Sequence, residues 1–246
     1  MKKLSVLASL MAVAAIVPVC ALAEAPAAAP GPTPKDKLAY ALGANIGKNM
    51  KETRVELDLA SFAQGVNDAM AGGTLAMSDA ELKAAMDEFQ RVASEKRAQH
   101  MKELGIANAA EGEKFLAENK AREGVVTLPS GLQYQVIKEG DGALPKSTDK
   151  VTVQYRGTLV NGTEFDSSIK RGKPSDFSLA PDGGLIKGMI EAMLAMKAGS
   201  KWTIYIPSAL AYGERGRPPS IGPNSTLIFE VELLGIKEAP PTPPAK

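Results

Sequence analysis

Val151-Thr-Val-Gln-Tyr-Arg-Gly-Thr-Leu-Val-Asn-Gly-Thr-Glu-Phe-Asp-Ser-Ser168 is the stretch on which the reading of the fold turns. Val151, Val153 and Tyr155 alternate with Thr152, Gln154 and Arg156, and a period of two places the first set on one face of a strand and the second on the other. Asn161-Gly162 follows, a pair in which both positions tolerate positive φ and therefore the signal of a two-residue hairpin. The same alternation recurs at Leu132, Tyr134 and Val136, at Trp202, Ile204 and Ile206, and at Leu227, Phe229, Val231 and Leu233. A short helix from about Gly188 to Lys197, stopped by Gly199, interrupts the strands. The segment after Gly124 is therefore expected to form an antiparallel sheet wrapped on one short α-helix.

Upstream, between Lys35 and about Glu123, helix signals replace the alternation. Leu38, Leu42, Ile46 and Met50 recur every four residues, as do Leu59, Phe62, Val66 and Met70. Asp58 is placed to cap the second helix and Gly72-Gly73 to stop it. Ser78-Asp-Ala-Glu81 has the spacing of a capping box and starts a third helix. That helix is expected to bury Leu82, Met86, Phe89 and Val92. Beyond them Lys96, Arg97, Gln99, Lys102 and Glu103 leave it polar all round, which predicts a spacer standing in solvent. Gly105 and Gly112 each cost about 1 kcal/mol in a helix interior, so a bend or weak point is expected between them. Two short helices and one apolar helix end bury too little for an independent domain. A homodimer through residues 36–92 is one remedy, and a helical cap folded back on the second domain is the other.

The ends read differently. Lys2 and Lys3, an apolar run from Leu4 to Val19 and Ala21-Leu-Ala23 have the order of an export signal, residues 1–23, cut after Ala23. That run is shorter than the roughly 20 residues a membrane-spanning helix needs, and no later segment resembles one. The expected location is the periplasm, with outer-membrane association if Cys20, the only cysteine, instead carries a lipid. Residues 24–34 are mostly Ala and Pro and read as a flexible tether, and 239–246 as a disordered Pro-rich tail or a ligand for a proline-binding partner. Between them lie a helical domain and spacer, 35–123, and a sheet domain, 124–238, giving an α+β chain. Without Lys2 and Lys3 the 29 basic residues become 27 against 28 acidic ones. A nucleic-acid binder needs a basic excess to displace phosphate counterions, so nucleic acid is excluded as a partner. One histidine, His100, allows neither a histidine-based triad nor a multi-histidine metal site. No phosphate-cradling glycine-rich loop occurs. Any enzyme here works without nucleophile, metal or cofactor.

Three runs in order, Val153-Gln-Tyr-Arg-Gly-Thr-Leu159 with Asn161–Ser168, Leu210-Ala-Tyr-Gly213, and Gly222-Pro-Asn-Ser-Thr-Leu-Ile-Phe-Glu-Val-Glu-Leu-Leu234, resemble the FKBP-type peptidyl-prolyl cis/trans isomerase domain over about residues 127–237. The helical segment resembles the dimerisation domain of the macrophage infectivity potentiator and FkpA-like branch. The resemblance implies a shallow apolar cup between the short helix and the concave sheet. Tyr155, Phe165, Asp166, Tyr212 and Phe229 would be its catalytic residues, and Phe177, Leu185, Ile186, Met189 and Ile221 would bind substrate. Met189 stands where the family commonly has tryptophan, and Trp202 is read as core. Phe165, Phe229, Ile186 and Met189 would hold a proline ring and Tyr212 would donate to a substrate carbonyl. Asp166, as a buried polar group, would polarise the twisted amide or only tie down Tyr155. The implied partners are unfolded or proline-containing polypeptides, and macrolides of the kind FKBPs bind. A dimeric holdase chaperone with little isomerase activity is the alternative function.

Overall fold

The computed structural model describes residues 35–237, so the export signal, the tether and the Pro-rich tail lie outside the described residues. Three helices come first: α1 (Lys37–Thr53), α2 (Leu59–Ala71) and α3 (Asp79–Asn119). Their ends form as the local chemistry dictates. Asp58 accepts from the amides of Ala60 and Ser61, and Gly72 closes α2 with φ 69°. At α3 both halves of the capping box, Ser78 and Glu81, are made. The described residues divide into two units, one up to Gly47 and one from Lys48 onward. Within one chain the apolar faces are uncovered: neither α1 nor α2 has a buried residue, and Met86 is 54% exposed instead of buried.

α3 runs unbroken for 41 residues through both glycines. Lys96, Arg97, Gln99, Lys102 and Glu103 are exposed, as their polarity implies, but the helix beyond them is not a solvent spacer. Gly105 and Gly112 are buried because they are contact points. A Cβ on Gly105 would stand 3.2 Å from Pro223 Cβ, and one on Gly112 would stand 2.3 Å from Thr226 Oγ1. Asn108 Nδ2 donates to the Pro223 carbonyl at 2.7 Å, and the Phe115 ring lies 5.8 Å from Tyr205. At the end of the helix Asn119, fully buried, donates to Gln133 Oε1 at 2.9 Å, and Gln133 donates to the Leu116 carbonyl at 2.9 Å. The missing side chains let the helix backbone approach the loop before the last strand, and that packing outweighs the glycine propensity.

The strands are β1 (Val125–Thr127), β2 (Gln133–Lys138), β3 (Lys150–Leu159), β4 (Glu164–Ser167), β5 (Ser175–Ser178), β6 (Lys201–Ile206) and β7 (Leu227–Lys237), with α4 (Lys187–Ala195) between β5 and β6. They form one antiparallel sheet in the order β1-β2-β6-β7-β3-β4, with β5 beside the first half of β3. The alternation holds along β3 and β7: Val151, Val153, Leu227, Val231 and Leu233 are fully buried. Val136 is 39% exposed, because β2 shifts register between Val136 and Lys138 and leaves the core at that point. The β3–β4 connection also differs from a two-residue hairpin. Leu159 pairs with Thr163, and only Gly162 has positive φ. The result is a three-residue loop ending in a left-handed glycine. α4 lays Gly188, Met189, Ala192 and Met193 on the sheet, ending two residues short of Lys197.

Candidate active site

Between α4 and the concave sheet lies a hollow of ≈ 100 Å³. β3 supplies Tyr155, β4 Phe165 and Asp166, β5 Phe177, and β7 Phe229. Leu185 and Ile186 come from just before α4, Met189 from its first turn, and Tyr212 from between two short 3₁₀ turns. Nine of the ten residues singled out in the sequence thus meet in one cup. Ile221 is the exception. A two-bond bridge between Arg217 and Ile221 (2.7 and 3.0 Å) folds the intervening prolines into a tight lip. Arg217 faces the cup, and Ile221, 3% exposed, lines the next hollow. Trp202 is no part of the lining; it stacks on Tyr134 in the core, ring centroids 4.2 Å apart.

Ring geometry shapes the wall. Phe165 meets Phe229 edge-on at 5.4 Å, and Tyr155 lies 5.6 Å from Phe177 and 6.2 Å from Phe229. Edge and tilted pairs at these distances suit the aromatic quadrupole. The quartet depends on Gly157, which sits opposite both Asp166 and Phe229 across the strands. A Cβ there would fall 2.7 Å from two Phe165 ring carbons and 2.9 Å from Phe229.

The polar rim is a triad. Tyr155 Oη donates to Asp166 Oδ2 at 2.5 Å, Arg171 donates to Tyr155 Oη at 2.8 Å, and Arg171 also pairs with Asp166. The Asp166 side chain is 37% exposed, so it is a rim residue and not the buried polar group expected, because Arg171 holds it toward solvent. Partial burial works against its charged form, yet the hydrogen bonds from Tyr155 and Arg171 outweigh it and keep the carboxyl below the usual aspartate range. Burial, reinforced by the bond to Asp166, raises the Tyr155 hydroxyl. Tyr212 Oη accepts from Arg217 at 3.2 Å, which leaves its own proton pointing to no partner among the described residues. Arg171, Arg217 and Gly157 were not singled out in the sequence. Arg171 follows Asp166 by five residues through a turn, and no local periodicity marks that contact.

A larger hollow of ≈ 820 Å³ lies nearby, lined by basic and apolar side chains of α1, α3 and the loops, with no Phe, Tyr or Trp. The aromatic cup, small as it is, has the lining that fits a ring.

Two family patterns match the chain. Residues 35–136 match the domain amino-terminal to FKBP-type peptidyl-prolyl isomerase, and 142–234 match the FKBP-type peptidyl-prolyl cis-trans isomerase domain. The chain is 42% identical over 207 residues to "Outer membrane protein MIP" of Legionella longbeachae, covering 84% of this chain and 88% of that protein. It is 43% identical over 212 residues to "Peptidyl-prolyl cis-trans isomerase Mip" of Coxiella burnetii, covering 86% and 91%. The crystal structure of FkpA from Escherichia coli superposes with TM-score 0.68 at 39% identity, covering 83% of this chain and 97% of that one. Helical domain, sheet and cup together place the chain in the FKBP-type peptidyl-prolyl cis-trans isomerase family.

Proposed function

We propose that the cup isomerises X-Pro peptide bonds in folding polypeptides by binding the twisted amide better than the planar one. The observation that carries this is the linked aromatic wall of Phe177, Tyr155, Phe229 and Phe165, which lines one hollow together with Met189 and Tyr212. Rotation about an amide must overcome about 18–20 kcal/mol of lost resonance, while the X-Pro isomers differ by only about 0.5–1 kcal/mol. The task is therefore transition-state stabilisation alone. The twisted amide is less polar than the planar form, so an apolar, water-poor surface favours it. Phe165, Phe229, Ile186 and Met189 grip the proline ring. Tyr212, already accepting from Arg217, donates its proton to a substrate carbonyl. Asp166 acts as a positioning residue: with Arg171 it fixes Tyr155. Macrolides of the kind FKBPs bind would occupy the same surface.

The test is a proline-limited tetrapeptide assay on the full chain with Asp166→Leu and Phe229→Ala. Each is expected to lower kcat/KM by about tenfold or more, equivalent to about 1.4 kcal/mol of transition-state binding. Trp202 fluorescence checks that the sheet still folds. Unchanged turnover in both folded variants would refute the assignments.

The uncovered faces of α1, α2 and the start of α3 support a homodimer through residues 36–92, with Leu42 63% and Met70 83% exposed. A monomer in a sedimentation run at micromolar concentration would end that reading. Export to the periplasm is supported by the basic-apolar-small order of residues 1–23. Among the described residues no helix is long and apolar enough to cross a membrane.

A further inference from the structure

The cup is not closed at its Arg217 side. It shares Phe165, Asp166 and Arg217 with a second hollow of ≈ 380 Å³, which continues along Pro218-Pro219-Ser220-Ile221. The same four lip residues form one wall of the ≈ 820 Å³ groove. Three hollows that share walls in series make one track, leading from the aromatic cup, over a proline lip, to the helices.

The far end of that track is strongly basic. Lys48 and Lys51 from the last turns of α1, Arg54 just beyond it, and Arg97 from α3 line the groove, with Glu52 as the single acidic side chain and His100 beside them. None of the four cations forms an ion pair among the described residues, and Arg54 is held in place by its 2.9 Å hydrogen bond to His100 Nε2. This charge is unlike the chain as a whole, whose basic and acidic residues almost balance. The basic wall is also distinct from the face assigned to the dimer. At 3.6 residues per turn, Lys48 and Lys51 lie on the side of α1 opposite Leu38, Leu42, Ile46 and Met50.

The α3 wall is tied to the residues that follow the lip. Asn108 reaches the Pro223 carbonyl at 2.7 Å and Ser225 Oγ at 3.3 Å, and Asn224 Nδ2 donates to the Gly105 carbonyl at 3.3 Å. Gly222, just past the lip, packs closely on α3: a Cβ there would stand 2.9 Å from Asn108 Nδ2 and 3.1 Å from Leu104 Cδ2, so both side chains would have to shift. The helix that carries Arg97 and His100 is therefore pinned to the loop that borders the cup, which pre-organises cup and groove as one surface.

We propose that this track is an extended client-binding site, selecting proline-containing polypeptides that carry an acidic segment on one side of the proline. The inference rests on the reading of the cup as a prolyl site. The proline ring sits among Phe165, Phe229 and Met189, the chain crosses the lip in extended form, and its carboxylates meet Lys51, Arg54 and Arg97. Short substrates that end at the lip gain nothing from the groove. The selectivity is electrostatic and so screened by salt.

The experiment compares, on the full chain, proline peptides bearing an acidic, a neutral or a basic cluster at graded spacings on either side of the proline. Turnover is measured by isomerisation kinetics, and binding separately by fluorescence anisotropy. On one side of the proline the acidic peptide is expected to show a KM and Kd lower by about three- to tenfold than the neutral one, the reach of two or three exposed ion pairs. High ionic strength should erase the difference. The charge-reversed variant K51E/R97E should erase or invert it, and if that variant fails to fold, K51Q/R97Q together with the salt titration serves instead. A chain that isomerises all the peptides but is indifferent to the acidic cluster overturns this inference and leaves the cup reading standing. A chain that binds the acidic peptide through Lys51 and Arg97 yet turns over no peptide overturns the cup reading instead. Binding to vesicles of phosphatidylglycerol through the same residues, with no preference among peptides, would overturn the assignment of the groove to acidic clients.

Discussion

Gly112→Ala separates a helix that packs on the sheet domain from one that merely spans solvent. In an exposed helix interior the change gains about 1 kcal/mol, because alanine loses less backbone freedom than glycine. Here the new methyl would stand 2.3 Å from Thr226 Oγ1 and 3.2 Å from Thr226 Cβ, against an ordinary carbon contact of about 3.5–4.0 Å. Rotating Thr226 moves the hydroxyl away, but its Cβ is fixed to the backbone of a residue only 5% exposed. Overpacking of this kind costs about 1–3 kcal/mol. Set against the helix gain, the net expectation is a loss of about 0–2 kcal/mol. Trp202, the only tryptophan, sits in β6 and reports unfolding of the sheet in a urea titration. Thr226→Ala removes the hydroxyl and part of the clash, so the double variant should recover most of the loss, giving a coupling of about 0.5 kcal/mol or more between the two sites. A Gly112→Ala protein about 1 kcal/mol more stable than the parent, with no coupling to Thr226, would refute the docking of α3 on the loop before β7.

Three further outcomes follow from the same geometry. Asn119→Ala should cost about 1–3 kcal/mol in urea unfolding, because it strips the buried Gln133 Oε1 of its donor. Gly157→Ala should displace the Phe165 and Phe229 rings and lower tetrapeptide kcat/KM by about tenfold or more, which a steady-state assay measures directly. The Asp166 carboxyl has a lowered pKa in the folded chain, so its bonds to Tyr155 and Arg171 are intact above the ordinary aspartate value of about 3.9 and are lost as pH falls through the lower folded value. Activity is therefore expected to stay level from neutrality to about pH 4 and to fall below it in parent protein that stays folded, and Asp166→Asn should remove that acid limb from the kcat/KM profile.

Much of the fold was legible because it rests on neighbours in the chain. The capping box at Ser78 and Glu81, the Asp58 cap and the Gly72 stop each satisfy backbone groups within a few residues, so their spacing alone predicts them. The alternation along β3 and β7 survives because one face of each strand is buried. Where a contact skips far along the chain, reading by period fails. Gly105 and Gly112 look like helix weak points until Pro223 and Thr226, more than a hundred residues later, are brought against them. Val160-Asn161-Gly162 makes a longer loop than the Asn-Gly pair suggested, because the bulge of β4 against β3 decides the register.

Consecutive residues were enough for the α+β order, the helix ends, the core strands and, through family resemblance, most of the residues that line the cup. Other features exist only in the folded chain: Arg171 holds Asp166 at the rim, Ile221 lines the hollow beyond the cup, and α3 lies against the loop before β7. Local propensity and pattern are written in consecutive residues, whereas these contacts exist only once distant segments share a surface, and there packing overrides the preference of any single residue.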